Sequence, residues 1–259
     1  MSLGALPGRT SVPFHAGTER QQSPASPFVL DEQARVRATL TKVSIFRDLP
    51  VATLDDLAKR VSVQRTPGGG SVLTPEGDGN ALHMVMAGRV KQVMVGENGR
   101  EVTLTVLRPG DIFGELSLFE GRGRAAQVVA IDPATTLSLP RDEVMRLMAA
   151  HPGLALAFLT EMARRMRRAD ETIAELALCD VQDRLVRRLI SLAKEDGMEL
   201  PEGVLIRRRP TQQDLANMVG ACRETISRTF NQLARKGLII PRGRSLLVTK
   251  RLVSPGQPA

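Results

Sequence analysis

Apolar residues recur at two periods along this chain, and the switches between them divide it. From Val61 to Leu139 short β-rich runs alternate with turn signals: Pro67-Gly68-Gly69-Gly70, Glu76-Gly77-Asp78-Gly79, Ala87-Gly88, Glu97-Asn98-Gly99 and Pro109-Gly110-Asp111. Val90, Val93 and Val95, then Val102, Leu104 and Val106, flank Asn98-Gly99, which predicts a hairpin. Strands at this density predict an antiparallel roll or barrel. On both sides the period is helical. Asp31 to Leu49 predicts a short helix and a turn. Val51 to Val61 predicts a second helix, with Leu54, Leu57, Ala58 and Val61 on one face. Arg141 to Ala150 predicts another, stopped by His151-Pro152-Gly153.

A long helix is predicted from Leu154 to about Leu178. Its apolar residues fall at Ala155, Leu159, Met162, Met166, Ala169, Ile173 and Leu176, in steps of 4, 3, 4, 3, 4 and 3. A sustained heptad is the pattern of a two-stranded coiled coil. A core helix of a monomer would need a wider apolar face, and Arg164, Arg165, Arg167 and Arg168 leave only a stripe. The expectation is a homodimer with Leu159, Met162, Met166, Ala169, Ile173 and Leu176 as its seam.

Beyond it, Val181 to Ala193 predicts an amphipathic helix and Val204 to Arg208 a strand. Thr211 to Gly237 then reads as helix, tight turn, helix. Thr211 is a good N-cap, and Asp214 completes a start of capping-box type. Leu215, Met218 and Val219 give the first helix an apolar face, and Gly220 suits the turn. Ile226, Phe230 and Leu233 form the inner face of the second helix. Its outer face carries Arg223, Glu224, Ser227 and Arg228. Arginine can give two parallel hydrogen bonds to guanine and glutamate can accept one from cytosine, so this face suits a major groove. A solvated, salt-bridged face is the plainer alternative. Leu238-Ile239-Ile240 and Leu246-Leu247-Val248 flank Pro241-Arg242-Gly243-Arg244 and predict a hairpin wing, with Arg242 and Arg244 as phosphate contacts.

Composition sharpens the DNA reading. Across 259 residues the net charge is +8, which suits a polyanion. Seven Phe with no Trp or Tyr disfavour stacking platforms for single strands or RNA. The two cysteines, Cys179 and Cys222, fall in predicted helices and read as small apolar fillers, not as a disulfide or a thiolate metal cluster. No apolar run spans a bilayer and no signal-peptide pattern stands at the start, so the expected location is the cytoplasm, with no membrane partner. The opening residues, rich in Pro, Ser, Gly and Gln, are expected to form a disordered tail. No nucleophile–base pair or metal-ligand cluster marks an enzyme.

Within the β region lies FGELSLFEGRGRAAQ, Phe113 to Gln127. Gly114 starts a helical turn whose backbone N–H groups can hold an anion. Glu115 can accept from a hydroxyl pair and Arg124 can pair with a phosphate. That set suits a sugar phosphate; an internal Glu115–Arg124 ion pair fits the spacing equally well.

A β-roll, a long dimer helix and a winged helix-turn-helix, in this order, resemble the cyclic-AMP receptor protein/fumarate–nitrate regulator family of bacterial transcription factors. The resemblance covers about residues 40 to 252 and is closest to the cyclic-AMP receptor branch. GELSLFEGRGRAA looks like the family's phosphate-binding cassette, MARRMRRADETIAELALCDVQDRL like its dimer helix and hinge, and RETISR like its recognition-helix start. The resemblance implies an α+β fold. A tail (1–30) precedes an antiparallel β-roll of cyclic-nucleotide-binding type (31–150), a coiled-coil dimer helix (151–179) and a winged helix-turn-helix (180–253). It implies a homodimer that reads a palindromic TGTGA-like site in double-stranded DNA through Thr211, Arg223, Glu224, Ser227, Arg228, Arg242 and Arg244. RNA polymerase is a further implied partner. The alternative is a cyclic-nucleotide-binding subunit acting on a protein.

By the same resemblance, Gly114, Glu115, Leu116, Arg124, Ala125, Arg165, Ala169 and Asp170 line a cyclic-nucleotide site. Glu115 would hold the ribose 2′-hydroxyl, and Arg124 with the backbone at Gly114 and Ala125 the phosphate. Two departures mark the pocket. Ala125 stands where the family has Ser or Thr, and the lost hydrogen bond to a charged acceptor is worth roughly 1.5–3 kcal/mol. Ala169 and Asp170 stand where cyclic-AMP receptors have Thr and Ser for the adenine. Cyclic AMP, another nucleotide and ligand-free operation all stay open. Iron–sulfur sensing is disfavoured, because clustered N-terminal cysteines are absent.

Overall fold

The computed structural model describes residues 27–75, 80–121 and 126–253. Arg124, Ala125, the turn Glu76–Gly79 and most of the expected tail lie outside the described residues. Helices α1 (Pro27–Leu40) and α2 (Val51–Ala58), joined through a 3-10 turn at Ser44–Phe46, precede the roll. The first helix begins four residues before its expected start.

Eight strands follow: β1 (Ser62–Thr66), β2 (Ser71–Leu73), β3 (Ala81–Ala87), β4 (Val90–Val95), β5 (Glu101–Leu107), β6 (Ile112–Phe113), β7 (Gln127–Ala130) and β8 (Ala134–Pro140), with helix α3 (Glu115–Glu120) between β6 and β7. They form two antiparallel sheets, ordered β1-β8-β3-β6 and β2-β7-β4-β5. Strand β3 is covered on both faces. Leu82 and Met84 join a cluster with Leu40, Phe46 and Leu57 of the leading helical segment, while Val85 turns to the roll interior with Val90, Phe113 and Val128. Alternation along a strand places successive side chains on opposite faces, so both sets are buried.

The hairpin predicted around Asn98-Gly99 is present as β4–β5, but its apolar residues are not all inward. Leu104 is the extra residue of a bulge in β5, opposite the step from Gln92 to Val93, and it is exposed, as are Met94, Val95 and Val102. A bulge adds one residue to a strand and breaks the alternation, so apolar spacing alone could not show which face each residue takes.

Helices α4 (Arg141–Ala150) and α5 (Pro152–Leu178) leave the roll. Pro152 opens α5 at a position whose N–H needs no partner. Leu154 and Phe158 anchor its first turns in the helical cluster of the roll. The C-terminal part contains α6 (Val181–Asp196), β9 (Gly197–Leu200), β10 (Gly203–Ile206), α7 (Gln212–Val219), α8 (Arg223–Arg235), β11 (Ile239–Arg242), β12 (Ser245–Thr249) and α9 (Lys250–Val253). The four strands form one sheet in the order β11-β12-β10-β9. Leu185, Leu189, Leu215, Ile226, Phe230, Leu233, Leu246 and Val248 make its core.

Two expectations need correction here. The strand expected at Val204–Arg208 ends at Ile206 and pairs with β9, a strand the sequence did not suggest because Met198 and Glu199 are both exposed and no alternation shows. Cys179 and Cys222 are not helix-interior fillers. Cys179 is the half-buried residue that ends α5, and Cys222 is an exposed N-cap of α8.

Candidate functional site

The helix-turn-helix is set by local bonds. The Asp214 N–H donates to Thr211 Oγ1 and the Thr211 N–H donates to Asp214 Oδ2, both at 3.0 Å, closing a capping box at the start of α7. Gly220 takes φ 70° and its N–H donates to the Ala216 carbonyl, which ends α7. That left-handed conformation is strained for any residue with a Cβ. Ile226, Phe230 and Leu233 then turn one face of α8 into the core. The opposite face carries Arg223, Glu224, Ser227 and Arg228 together in one open depression, with Gln212 and Asn231 completing its lining. Thr211 does not line this depression: its hydroxyl also donates to Asp214 Oδ2 at 2.7 Å, and its neighbour Gln212 faces the hollow instead. On the wing Arg242 bonds Glu202 at 3.2 Å and Arg244 is exposed. The Arg209 N–H donates to the Arg244 carbonyl at 3.0 Å, which ties the approach to α7 to the wing tip.

The candidate nucleotide site lies where α3 meets α5. Gly114 has φ 84°, and a Cβ there would stand 3.0 Å from His83 Cδ2 and 3.1 Å from the Ala81 carbonyl oxygen. His83 stacks on Phe113 with ring centroids 5.2 Å apart, so the strand histidine is part of the packing under the turn. Glu115 is only 3% exposed. Its Oε1 accepts from Arg165 Nη1 at 2.9 Å. Arg165 also donates through Nε to Glu161 Oε1 at 2.9 Å and through Nη2 to the Ile112 carbonyl at 2.6 Å. Among the described residues, the arginine paired with Glu115 thus comes from α5. The second carboxylate oxygen, Glu115 Oε2, is buried and has no hydrogen-bond partner among the described residues. A buried carboxylate oxygen left without a donor is costly, and a ligand hydroxyl would satisfy it. Leu116 is exposed, and so are Ala169 and Asp170, which follow Arg165 along α5.

Past its anchored start, α5 shows the residues of the expected seam to solvent. Leu159 is 66%, Met166 69% and Ile173 63% exposed; Leu176 and Ala169 are also exposed and Met162 half-buried. Leu156, 67% exposed, extends the strip and was not part of the heptad reading.

An ion network that sequence reasoning missed joins the roll to the C-terminal part. Arg89 bonds Asp132 at 2.7 Å and Asp196 at 3.0 Å. Arg108 bonds Glu195 at 2.6 Å and Asp196 at 3.1 Å, and Arg208 bonds Asp132 at 2.8 Å. Nearby, Asn217 donates to Glu101 at 3.3 Å. Burial pushes the Asp196 carboxyl up, but the Arg108 and Arg89 guanidiniums outweigh it and leave it below the usual carboxylate range. The hydrogen bond from Arg89 holds Asp132 low as well. Carboxylates depressed on folding add stability above their unfolded pKa and lose it as pH falls through the folded value. The network is therefore complete at neutral pH and opens only in acid. An NMR titration of the Asp132 and Asp196 carboxyl carbons should give midpoints below the ordinary value of about 3.9. Midpoints at or above it would mean that the pairs do not hold in solution.

Two family models match the chain: a cyclic nucleotide-binding domain over residues 66–151 and a Crp-like helix-turn-helix domain over residues 183–252. A CRP-like cAMP-activated global transcriptional regulator from Mycobacterium tuberculosis is 30% identical over 210 residues, covering 81% of this chain and 94% of that one. The chain belongs to the CRP/FNR family of transcription regulators. A second relative, the cAMP-activated global transcriptional regulator CRP of Salmonella typhimurium, is 29% identical over 198 residues, 76% of this chain and 93% of the relative. Among solved structures, the c-di-GMP responsive global regulator CLP of Xanthomonas campestris matches with a TM-score of 0.69 at 25% identity, over 77% of this chain and 99% of that one. This CRP/FNR protein is thus a DNA-binding transcription regulator with a cyclic-nucleotide-binding domain, in a family of regulators and not of enzymes. Among its described residues, no helix is long and apolar enough to cross a membrane.

Proposed function

We propose that the protein works in the cytoplasm as a homodimer that reads a palindromic TGTGA-like site, with its β-roll as the sensor of a cyclic nucleotide. The observation that carries this reading is the outer face of α8, where Arg223, Glu224, Ser227 and Arg228 converge on one hollow. In this reading those four side chains meet base edges, while Thr211, Arg242 and Arg244 lie along the phosphates. The exposed stripe on α5 supports pairing with a second copy. Two-fold symmetry then matches two half-sites about 34 Å apart. Glu115 Oε2, without a partner among the described residues, supports a sugar hydroxyl in the nucleotide site; Gly114, Leu116, Arg165, Ala169 and Asp170, with Arg124 and Ala125 by likeness to the family, are the residues assigned to that site. The relatives named cAMP-activated make cyclic AMP the first ligand to try. RNA polymerase is the partner through which bound regulator would act.

Fluorescence anisotropy on a labelled TGTGA palindrome, with and without cyclic AMP at fixed salt, tests both halves. Tight binding only with nucleotide is the expected result. Tight binding that ignores cyclic AMP would remove the sensor role for this nucleotide and leave the roll as a dimer scaffold. No preference for the palindrome over random DNA would overturn the site. Arg223→Ala should lower discrimination at one base pair by about 1–3 kcal/mol. Equal losses on specific and random duplexes would refute direct reading by that residue.

A further inference from the structure

We propose that Asn231 is a base-reading residue of this regulator, selecting an adenine within each half-site; the inference rests on α8 being the helix that reads DNA. Asn231 belongs to the hollow that holds Arg223, Glu224, Ser227 and Arg228, whereas its neighbour Gln232 does not line it. At about 100° per residue, with Arg223 at zero, Ser227 lies at about 40°, Asn231 at about 80°, Glu224 at about 100° and Arg228 at about 140°. Asn231 therefore falls near the middle of the arc and not on its flank. All five residues lie within about 140° of arc, so Asn231 shares the face whose other side chains are assigned to base edges. The packing fixes that orientation, because Phe230 and Leu233 on either side of it in sequence are buried in the core.

Its chemistry points to one base. An asparagine amide can donate to adenine N7 and accept from adenine N6 in one plane, and no other base edge offers that pair in the major groove. Asn217, on the first helix of the motif, is a useful contrast. It is buried, accepts from Gln213 at 2.8 Å and donates to Glu101 at 3.3 Å, so its amide is consumed by the fold. Asn231 is exposed, and its side-chain amide has no hydrogen bond to any described residue. The eight residues from Arg223 to Asn231 advance about 12 Å along the helix axis. That is roughly three to four base-pair steps of about 3.4 Å, so the adenine is not the pair met by Arg223 but one farther along the same half-site.

The test is a competition assay on duplexes in which every position of the half-site is varied in turn, run on full-length wild type, Asn231→Ala, Asn231→Gln and Arg223→Ala. Asn231→Ala should lose about tenfold or more of the preference for an A·T pair at one position. It should keep the preference that Arg223→Ala abolishes. Asn231→Gln should retain part of the adenine preference, because glutamine offers the same donor and acceptor. A uniform loss on every duplex with a flatter salt dependence would make Asn231 a phosphate contact and overturn the proposal. An unchanged profile would overturn it as well. If wild type itself shows no sequence preference, DNA reading by α8 fails too; if only the Asn231 variants behave like wild type, this inference fails alone.

Discussion

Met166→Asp should turn the protein into a monomer and remove tight binding to a duplex with two half-sites. Met166 is 69% exposed and stands midway between Leu159 and Ile173 on the same stripe of α5. Burying such a side chain against a partner contributes roughly 1.5–3 kcal/mol. In a two-fold seam the substitution acts twice, and it sets two carboxylates in a drying interface, where leaving charges unpaired costs several kcal/mol each. One copy carries one recognition helix, so the gain from linking two binding events goes as well, about 10²–10⁴ in affinity. Sedimentation velocity reads the first effect and anisotropy on one-site and two-site duplexes the second. A dimer mass that persists would sink the seam assignment. A monomer that still binds the palindrome as tightly as wild type would sink the two-half-site geometry.

Glu115→Gln should weaken binding of a cyclic nucleotide by about tenfold or more, since hydrogen bonds to a charged acceptor are worth roughly 1.5–3 kcal/mol. The amide keeps the shape of the side chain but offers one acceptor in place of the buried oxygen pair. Arg165 would keep its bonds to Glu161 and the Ile112 carbonyl, so the junction of roll and helix should persist. Titration calorimetry with cyclic AMP and cyclic GMP, beside a thermal melt, separates the two effects. Glu161→Gln is the control: Glu161 bonds the same arginine but belongs to α5, so it should shift the melt without a matching loss of ligand affinity. An affinity unchanged in Glu115→Gln would remove Glu115 from the ligand's contacts.

What the sequence showed depended on how local the cause was. The capping box at Thr211 and Asp214, the turn at Gly220 and the inner face of α8 are set within a few residues, and each was legible. Helix α4 follows its apolar pattern to the residue. Strand β9 was not legible, because it is held by pairing with β10 and leaves its own side chains in water. Outward placement of Val95, Val102 and Leu104 follows from a bulge that apolar spacing does not mark. Arg165 was named by likeness to the family, but its three bonds reach residues up to 53 positions away. Arg108 and Asp196 are 88 positions apart, and charged residues are too common for one such pair to be picked from a list. Gln212 and Asn231 were missed for another reason: uncharged amides do not stand out beside arginines until the hollow is seen.

Arg165 and Met166 are consecutive on α5, one bonded to Glu115 and the other open on the stripe. In the proposed dimer, a ligand that draws Glu115 away from Arg165 would act one residue from the seam and would couple occupancy of the sensor to association of two chains. Linkage makes such coupling reciprocal: a ligand that tightens association by some factor must itself bind the associated form tighter by the same factor. The apparent ligand constant is then a function of protein concentration. Under that coupling, a titration at nanomolar chain and one at micromolar chain would disagree, and the gap between them would measure it.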